Sequence, residues 1–319
     1  MALANMKVFN EAVQESTIET LAQMVQAFNA ASRGTLVLTA EGFQGDYRQR
    51  AYWASLASAR RRVDRYATNG TASPTALAQL QENGVKIAGG FGPVLWEPGQ
   101  LTWVEKNPAE AVAVISQALA EGMLQDQLNT AIAALVAALQ VNADSYFDTG
   151  TGPLTYRDLN SAHAKFGDMS NTILANVMDG TSYHNLIDNN LANGSNLFQS
   201  TGVTVVDILG KAVIVTDAPA LRQTGTGANQ FALGLAAGAA TVFDGSDLIT
   251  NVEQSNGKNR IETTFQADYT FGLALKGYTW DTATGGKSPT DIEIATGSNW
   301  DRVATSVKHT AGVLAIANA

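Results

Sequence analysis

One stretch limits what this chain can fold into more than any other. Residues 107–141 read NPAEAVAVISQALAEGMLQDQLNTAIAALVAALQV. Asn107 is placed to cap orphan amides, Pro108 suits the first helical turn, and Glu110 stands where a capping-box acid reaches back. A helix therefore starts here. Val112, Ile115, Leu119, Met123, Leu128, Ile132, Leu135 and Leu139 recur at helical spacing as one apolar stripe, while Glu121, Gln125, Asp126 and Asn129 fall mostly elsewhere. Unbroken, such a helix runs roughly 50 Å, longer than a compact domain needs. Gly122 is the expected place for a bend. Ala111, Ala113, Ala118, Ala131, Ala133, Ala134, Ala137 and Ala138 carry helix propensity and allow close packing on more than one side. The rod reads as a beam along which other parts lie.

With 319 residues, 45% hydrophobic and only 15% charged, the chain is globular and long enough for two or three domains. Low charge and 29 glycines fit an exterior covered in large part by partners. There is no cysteine, which excludes disulfides and thiolate metal sites, and three scattered histidines equip the chain poorly for a transition metal. MALANMKVFNEA lacks the basic start and apolar run of a secretion signal, and no apolar stretch is long enough to span a bilayer, so synthesis in the cytosol is expected. The net charge of -9 argues against a surface that grips nucleic acid throughout and suits a container wall around a polyanion.

Before the long helix, Ser16-Thr-Ile-Glu19 is a capping box that predicts a helix start near Ser16, with Ile18, Leu21, Val25 and Phe28 on its apolar face and Arg33-Gly34 as its stop. Residues before Val8 are expected to form an arm. TLVLT at 35–39 is a short strand signal followed by a turn in EGFQG. Asp46 to Tyr66 is the most basic segment. Its six arginines, Arg48, Arg50, Arg60, Arg61, Arg62 and Arg65, face only Asp46 and Asp64, so it carries +4 and the remaining residues carry -13. Their alternation with Tyr52, Leu56, Ala59, Val63 and Tyr66 predicts a helix. Three readings stand beside one another: a solvated basic face, pairing with acidic surface on a neighbouring subunit, and direct nucleic-acid binding, which the overall acidity disfavours. Ser73-Pro74 predicts another short helix closed by Asn83-Gly84, after which VKIAGG and Val94 to Val104 read as extended. Trp96 and Trp103 in that path are core or interface anchors.

Beyond the long helix, DTGTGP is a loop and Thr155-Tyr-Arg-Asp158 opens a helix carrying Leu159, Ala162 and Phe166. Ile173 to Met178 and Tyr183 to Leu191 read as helical, VTVVDIL and KAVIVTD as strands, and with NQFALGLAAGAATVF they form a mixed α/β domain. From Ile261 to Leu275 the odd positions are apolar or Thr and the even ones mainly polar, a half-buried strand far longer than the usual five or six residues. SNGK at 255–258 marks a hairpin turn, with about Leu248 to Gln254 as the partner strand. A mixed segment around Trp300 and an apolar strand from Gly312 to Ala317 close the chain.

No catalytic constellation emerges. GGKS at 285–288 would need a glycine at position 281, which is Asp281, and Pro289 stands where a helix should begin, so it is not a phosphate-binding loop. GTG at 225–227 lacks the rest of a dinucleotide fingerprint. Asp144 with Asp148, and Asp244 with Asp247, are carboxylate pairs tied to no base or metal, and His163, His184 and His309 are isolated. Asn69-Gly-Thr and Asn193-Gly-Ser read as turns. No cofactor, metal or catalytic residue is assigned.

The order of elements, with the phrases LTYRDLNSAHAKFGDMS, DILGKAVIVTDAPAL, LKGYTWD and NWDRVATSVKHTAGVLAIAN, resembles the major capsid proteins of tailed bacteriophages with the Hong Kong 97-type fold. The resemblance covers essentially the whole chain. It implies an α+β fold with an N-terminal arm and helix at 1–34 and an extended loop with inserted helices at 35–106. A peripheral domain at 107–149 and 246–319 is expected to hold the spine helix and the long hairpin, and an axial α/β domain spans 150–245. It implies a shell subunit, not an enzyme, forming pentamers and hexamers of an icosahedral head around double-stranded DNA, assembled in the bacterial host cytoplasm with scaffolding, portal and possible decoration proteins. Arg48, Arg50, Arg60, Arg61, Arg62, Arg65, Trp96 and Trp103 are then the expected inter-subunit contacts. The long N-terminal scaffolding extension of some relatives is not seen, so a separate scaffold or a cut precursor is expected. The chain-mail crosslink of one relative does not carry over onto Lys86 or any particular asparagine. Two rivals remain: an encapsulin-like compartment shell holding a protein cargo, and a soluble enzyme or ligand-binding protein.

Overall fold

The structure is a computed structural model describing residues 3–42, 45–53, 59–68, 70–71, 73–74, 76–150, 152–192, 210–223, 228–245, 247–256 and 259–318. In chain order the elements are α1 (Leu3–Ala31), β1 (Leu36–Gly42), β2 (Tyr47–Trp53), β3 (Gln79–Trp96), α2 (Pro98–Lys106), α3 (Pro108–Val141), β4 (Tyr146–Asp148) and α4 (Tyr156–Ala164). Then come β5 (Ile173–Met178), α5 (Gly180–Ala192), β6 (Ala212–Val215), β7 (Asn229–Ala236), β8 (Ala240–Asp244), β9 (Ile249–Ser255), β10 (Glu262–Leu275), β11 (Tyr278–Trp280), α6 (Asp291–Ile294), β12 (Trp300–Arg302) and β13 (Gly312–Asn318). A six-stranded sheet runs β1-β8-β10-β3-β2 with β9 on the free half of β10, and a five-stranded sheet runs β4-β13-β7-β5-β6.

The long helix α3 is the unbroken 34-residue element its periodicity predicts. It packs on α1, on β8 and β10 of the larger sheet and on β13 of the smaller one. Ala131, Ala134, Ala137 and Ala138 are all buried with Ile132, Leu135 and Leu139, so its second half is enclosed on several sides by the small side chains foreseen for it. Two local expectations fail. Asn107 makes no side-chain cap, because it is the single residue between two helices and its N–H donates to Trp103 O of α2 at 2.9 Å. Gly122 does not break the helix; a Cβ there would meet the Phe91 ring at 2.8 Å, so the glycine admits a close approach of β3.

Helix α1 begins at Leu3, not near Ser16, and so leaves no arm before Val8 among the described residues. Met6, Phe9 and Val13 already repeat at helical spacing and are buried, and Ser16 Oγ lies 2.9 Å from Ser116 Oγ of α3 in place of capping a terminus. Arg33 and Gly34 end it as expected, both with positive φ.

Among the described residues the arginine segment forms no α-helix. Tyr47–Trp53 is a strand antiparallel to β3, pairing Arg48 with Gly84 and Arg50 with Glu82, and residues 60–66 carry no regular structure. Non-local pairing overrides the local spacing here. The helix expected from Ser73-Pro74 is likewise missing: residues 73–74 and 76–78 are non-helical, and β3 runs straight through Asn83-Gly84. Gly84 is a packing glycine, since a Cβ would come 2.8 Å from Leu273 O on the strand beyond. The extended reading of 94–104 holds only to Trp96. Pro98 then opens α2, with Gln100 Oε1 accepting the Glu97 N–H at 2.9 Å, and puts Trp103 on a helix.

Ile173–Met178, expected to be helical, is strand β5, almost wholly buried between β6 and β7. Five apolar residues around the single Asn176 have no period to read, and two strand partners decide the matter. Tyr183 to Leu191 lies within α5 as expected. The Thr155 capping box is formed, with Thr155 Oγ1 accepting from Asp158 N and Asp158 Oδ2 from Thr155 N. VTVVDIL and the GTG at 225–227 lie outside the described residues.

The hairpin forms as β9 against β10, with Val252 opposite Phe265. On β10 the odd residues Thr263, Phe265, Ala267, Tyr269, Phe271 and Leu273 are all buried. Leu128 and Ile132 join the same core as Phe265 and Tyr269. The sheets cut across the sequence division at 246: β8 adds to the hairpin sheet, and β13 is inserted between β4 and β7 of the other sheet. Trp280 and Trp300 meet edge-on at 4.9 Å where β11 pairs with β12.

Candidate assembly surface

The histidines and the carboxylate pairs make contacts within the fold. His163 is buried, its Nε2 donating to Asn176 Oδ1 at 2.9 Å; burial holds its pKa below the usual value, opposed by that bond and reinforced by the Lys211 charge. Lys211 Nζ donates to Ser170 O at 2.8 Å and Ile173 O at 2.7 Å. His184 packs edge-on against Tyr183, and His309 sits in a single turn at Val307–His309. Asp144 pairs with Arg302 at 3.7 Å, and Asp148 accepts the Gly150 N–H in the loop. Asp247 accepts both the N–H and the hydroxyl of Thr270 and pairs with Lys86 at 3.3 Å, pinning the β8–β9 connection to β10 and β3. Its pKa is lowered: desolvation opposes the shift, and the Thr270 bonds and Lys86 outweigh it.

The GGKS glycine at 285 serves packing, because a Cβ there would overlap the Trp280 ring at 2.2 Å, while Trp280 Nε1 donates to Gly286 O. Among the described residues no group of three or more His, Asp or Glu could hold a metal ion. No helix among them is long and apolar enough to cross a membrane.

The eight expected contact residues divide sharply. Arg48 and Arg50 lie on the face of the larger sheet opposite the buried one. Arg48 pairs with Glu41 at 3.1 Å and lies 3.9 Å over the Phe243 ring, and Arg50 stands across the ladder from Glu82. Glu82 accepts the Gly277 N–H at 2.7 Å; burial raises its pKa against that bond and the nearby Arg50 and Lys276 charges. These two arginines are therefore engaged within the chain. Arg60, Arg61, Arg62 and Arg65 are exposed and pair with no carboxylate among the described residues. Trp96 is turned inward, stacked on Phe265 at 5.7 Å and edge-on to Phe9 at 6.2 Å, whereas Trp103 is 36% exposed on α2. The fold thus brings Trp96, Phe265 and Phe9 together and leaves the second arginine group outside. The pairing of Arg50 with Glu82 had no signal in sequence, since it depends on β2 and β3 sharing a register.

The fold and these surfaces can be set beside known proteins. No curated protein matches the sequence. Among solved structures the chain is similar to the cyanophage Pam1 capsid asymmetric unit, at TM-score 0.52 and 13% identity over 89% of this chain and 87% of that one. It is similar to a chain of Mycobacterium phage Bobi at TM-score 0.51 and 13% identity, covering 88% of each. It is similar to a chain of the capsid of Ralstonia phage GP4 at TM-score 0.50 and 10% identity, covering 78% and 84%. At such identities the likeness is one of fold. The sequence pattern of one family, Gp13-like or major capsid protein 13-like, matches residues 5–314. With that match running almost end to end, the chain belongs to the major capsid protein 13-like family.

Proposed function

We propose that this major capsid protein closes into pentamers and hexamers of an icosahedral head enclosing double-stranded DNA. The observation that carries the proposal is the family match across residues 5–314. The shape fits it: α3 at 34 residues and β10 at 14 exceed what a compact domain needs, and long elements let a subunit bury surface on several neighbours. In this reading α3 and the β9–β10 hairpin form the peripheral domain and the β5–β7 region the axial one. The chain works by contact, not catalysis. Arg60, Arg61, Arg62, Arg65 and Trp103 contribute to interfaces between subunits, while scaffolding and portal proteins guide assembly in the host cytoplasm. The acidic chain, at -9, encloses DNA without gripping it by sequence.

Electron microscopy of particles from the native source, with nuclease and protease treatment of their contents, tests this directly. DNA-filled shells in which this chain is the dominant protein are expected. A protein cargo would point to a cellular compartment instead, and recovery only as a free monomer would end the shell reading.

A further inference from the structure

Helix α1 buries one face, through Met6, Phe9, Val13 and Thr17, and leaves the other bare. On the bare face Glu11, Glu15 and Glu19 follow one another at four-residue spacing, all exposed, beside Val8 and the 52% exposed Ile18. Like charges at this spacing repel one another and weaken a helix. The only relief among the described residues is Lys7, 3.9 Å from Glu11; Glu15 and Glu19 have no ion pair among them. At its N-terminal end the stripe opens on a groove of about 530 Å³ between α1 and the α2–α3 corner, lined by Val8, Phe9, Ala12, Val104, Pro108 and Val112.

The same chain carries the complement elsewhere. Arg60, Arg61, Arg62 and Arg65 are exposed without a carboxylate partner among the described residues, and Tyr66 beside them is 92% exposed. Because the rest of the chain totals -13 against the +4 of residues 46–66, a second copy is the nearest acidic partner in supply.

We infer that the 60–66 segment of one copy docks antiparallel along the outer face of α1 of another, arginines over Glu11, Glu15 and Glu19 and Tyr66 in the apolar groove. The lengths agree: Val8 to Glu19 rises about 17 Å along a helix, and six extended steps from Arg60 to Tyr66 span about 20 Å. Each guanidinium relieves a repulsion that the isolated chain retains, and the tyrosine buries a ring that water otherwise surrounds. The contact is heterologous, one patch meeting a different patch, the kind that closes into rings. The inference rests on the shell reading above and names the surface that receives the arginines.

The absence of cysteine makes a clean test possible. A Glu15→Cys chain and an Arg62→Cys chain are co-expressed with the scaffolding partner, assembled and oxidised, then run without reductant beside each variant alone. A disulfide-linked dimer is expected only when both are present. In parallel, Glu11→Arg/Glu15→Arg/Glu19→Arg is expected to lower shell yield about tenfold or more, because the loss repeats at every equivalent interface, while circular dichroism shows the fold retained. Adding Arg60→Glu/Arg61→Glu/Arg62→Glu to the same chain restores the yield. Shells that form but give no linked dimer, or a Glu→Arg variant assembling as well as wild type, overturn the inference and leave the shell reading standing. Failure of the wild-type chain to form shells under the same conditions overturns both.

Discussion

The phenol of Tyr269, in the middle of β10, donates a 2.6 Å hydrogen bond to Asp126 Oδ2, in the middle of α3. It is a polar pin between the longest helix and the long strand of the hairpin, and it sits among stacked rings, with Phe91 at 5.7 Å and Phe271 at 6.3 Å from Tyr269. Burial raises the pKa of Asp126, the Tyr269 bond pulls it back, and Asp291 adds to the rise; burial and Asp126 together also push Tyr269 up.

Removing the hydroxyl with Tyr269→Phe keeps the ring stack and leaves a half-buried carboxylate short of a donor. The expected loss is about 1–2 kcal/mol of unfolding free energy, read by urea denaturation at neutral pH. A variant as stable as wild type would show that the bond contributes nothing beyond the stack.

The pH dependence of Asp126 has a definite sign. A carboxyl whose folded pKa is raised contributes stability below its unfolded value, near 3.8 for an aspartate, and loses that contribution as pH rises through the raised folded value. Asp126→Asn, which keeps an acceptor for Tyr269, should therefore gain most over wild type at neutral pH and least near pH 3. Thermal melts across that range check it, and a gain that grows on acidification would reverse the assignment. Asp247 acts oppositely: its lowered pKa gives stability above the unfolded value that is lost as pH falls through the folded one.

Ile132 is 1% exposed in the half of α3 enclosed on several sides. Ile132→Asp places a charge there without a partner, at a cost of several kcal/mol, and insoluble protein is the expected result. A soluble variant that still assembles would contradict the packing of α3 against the hairpin sheet.

Gly285→Ala tests whether the GGKS glycine serves packing. A methyl overlapping the Trp280 ring should cost about 1–3 kcal/mol and alter tryptophan fluorescence, because Trp280 and Trp300 share one buried contact. Unchanged stability and emission would show that the loop simply moves aside.

Much of this protein can be read from local order alone. The spacing of Leu119, Met123, Ile132, Leu135 and Leu139 determined α3, the alternation from Thr263 to Leu273 determined β10, and Thr155 with Asp158 determined the start of α4. These signals lie within a turn or two of one another along the chain, and so they survive in one dimension. The candidate assembly surface was legible only as composition, an excess of arginine between 46 and 66.

Tertiary structure decided the rest. Arg48 and Arg50 were drawn into a strand by β3, Ile173–Met178 became a strand between β6 and β7, and β13 returned from the far end of the chain to sit beside β7. Gly84, Gly122 and Gly285 read as turns, bends or motif pieces, yet each is small because Leu273, Phe91 or Trp280 comes close from a distant segment or across its own loop. A strand's partner and a glycine's neighbour are facts about residues far apart in sequence or folded back on one another. Burying apolar faces against those partners outweighs the local preference of any short segment, so such choices are made only when the whole chain has folded.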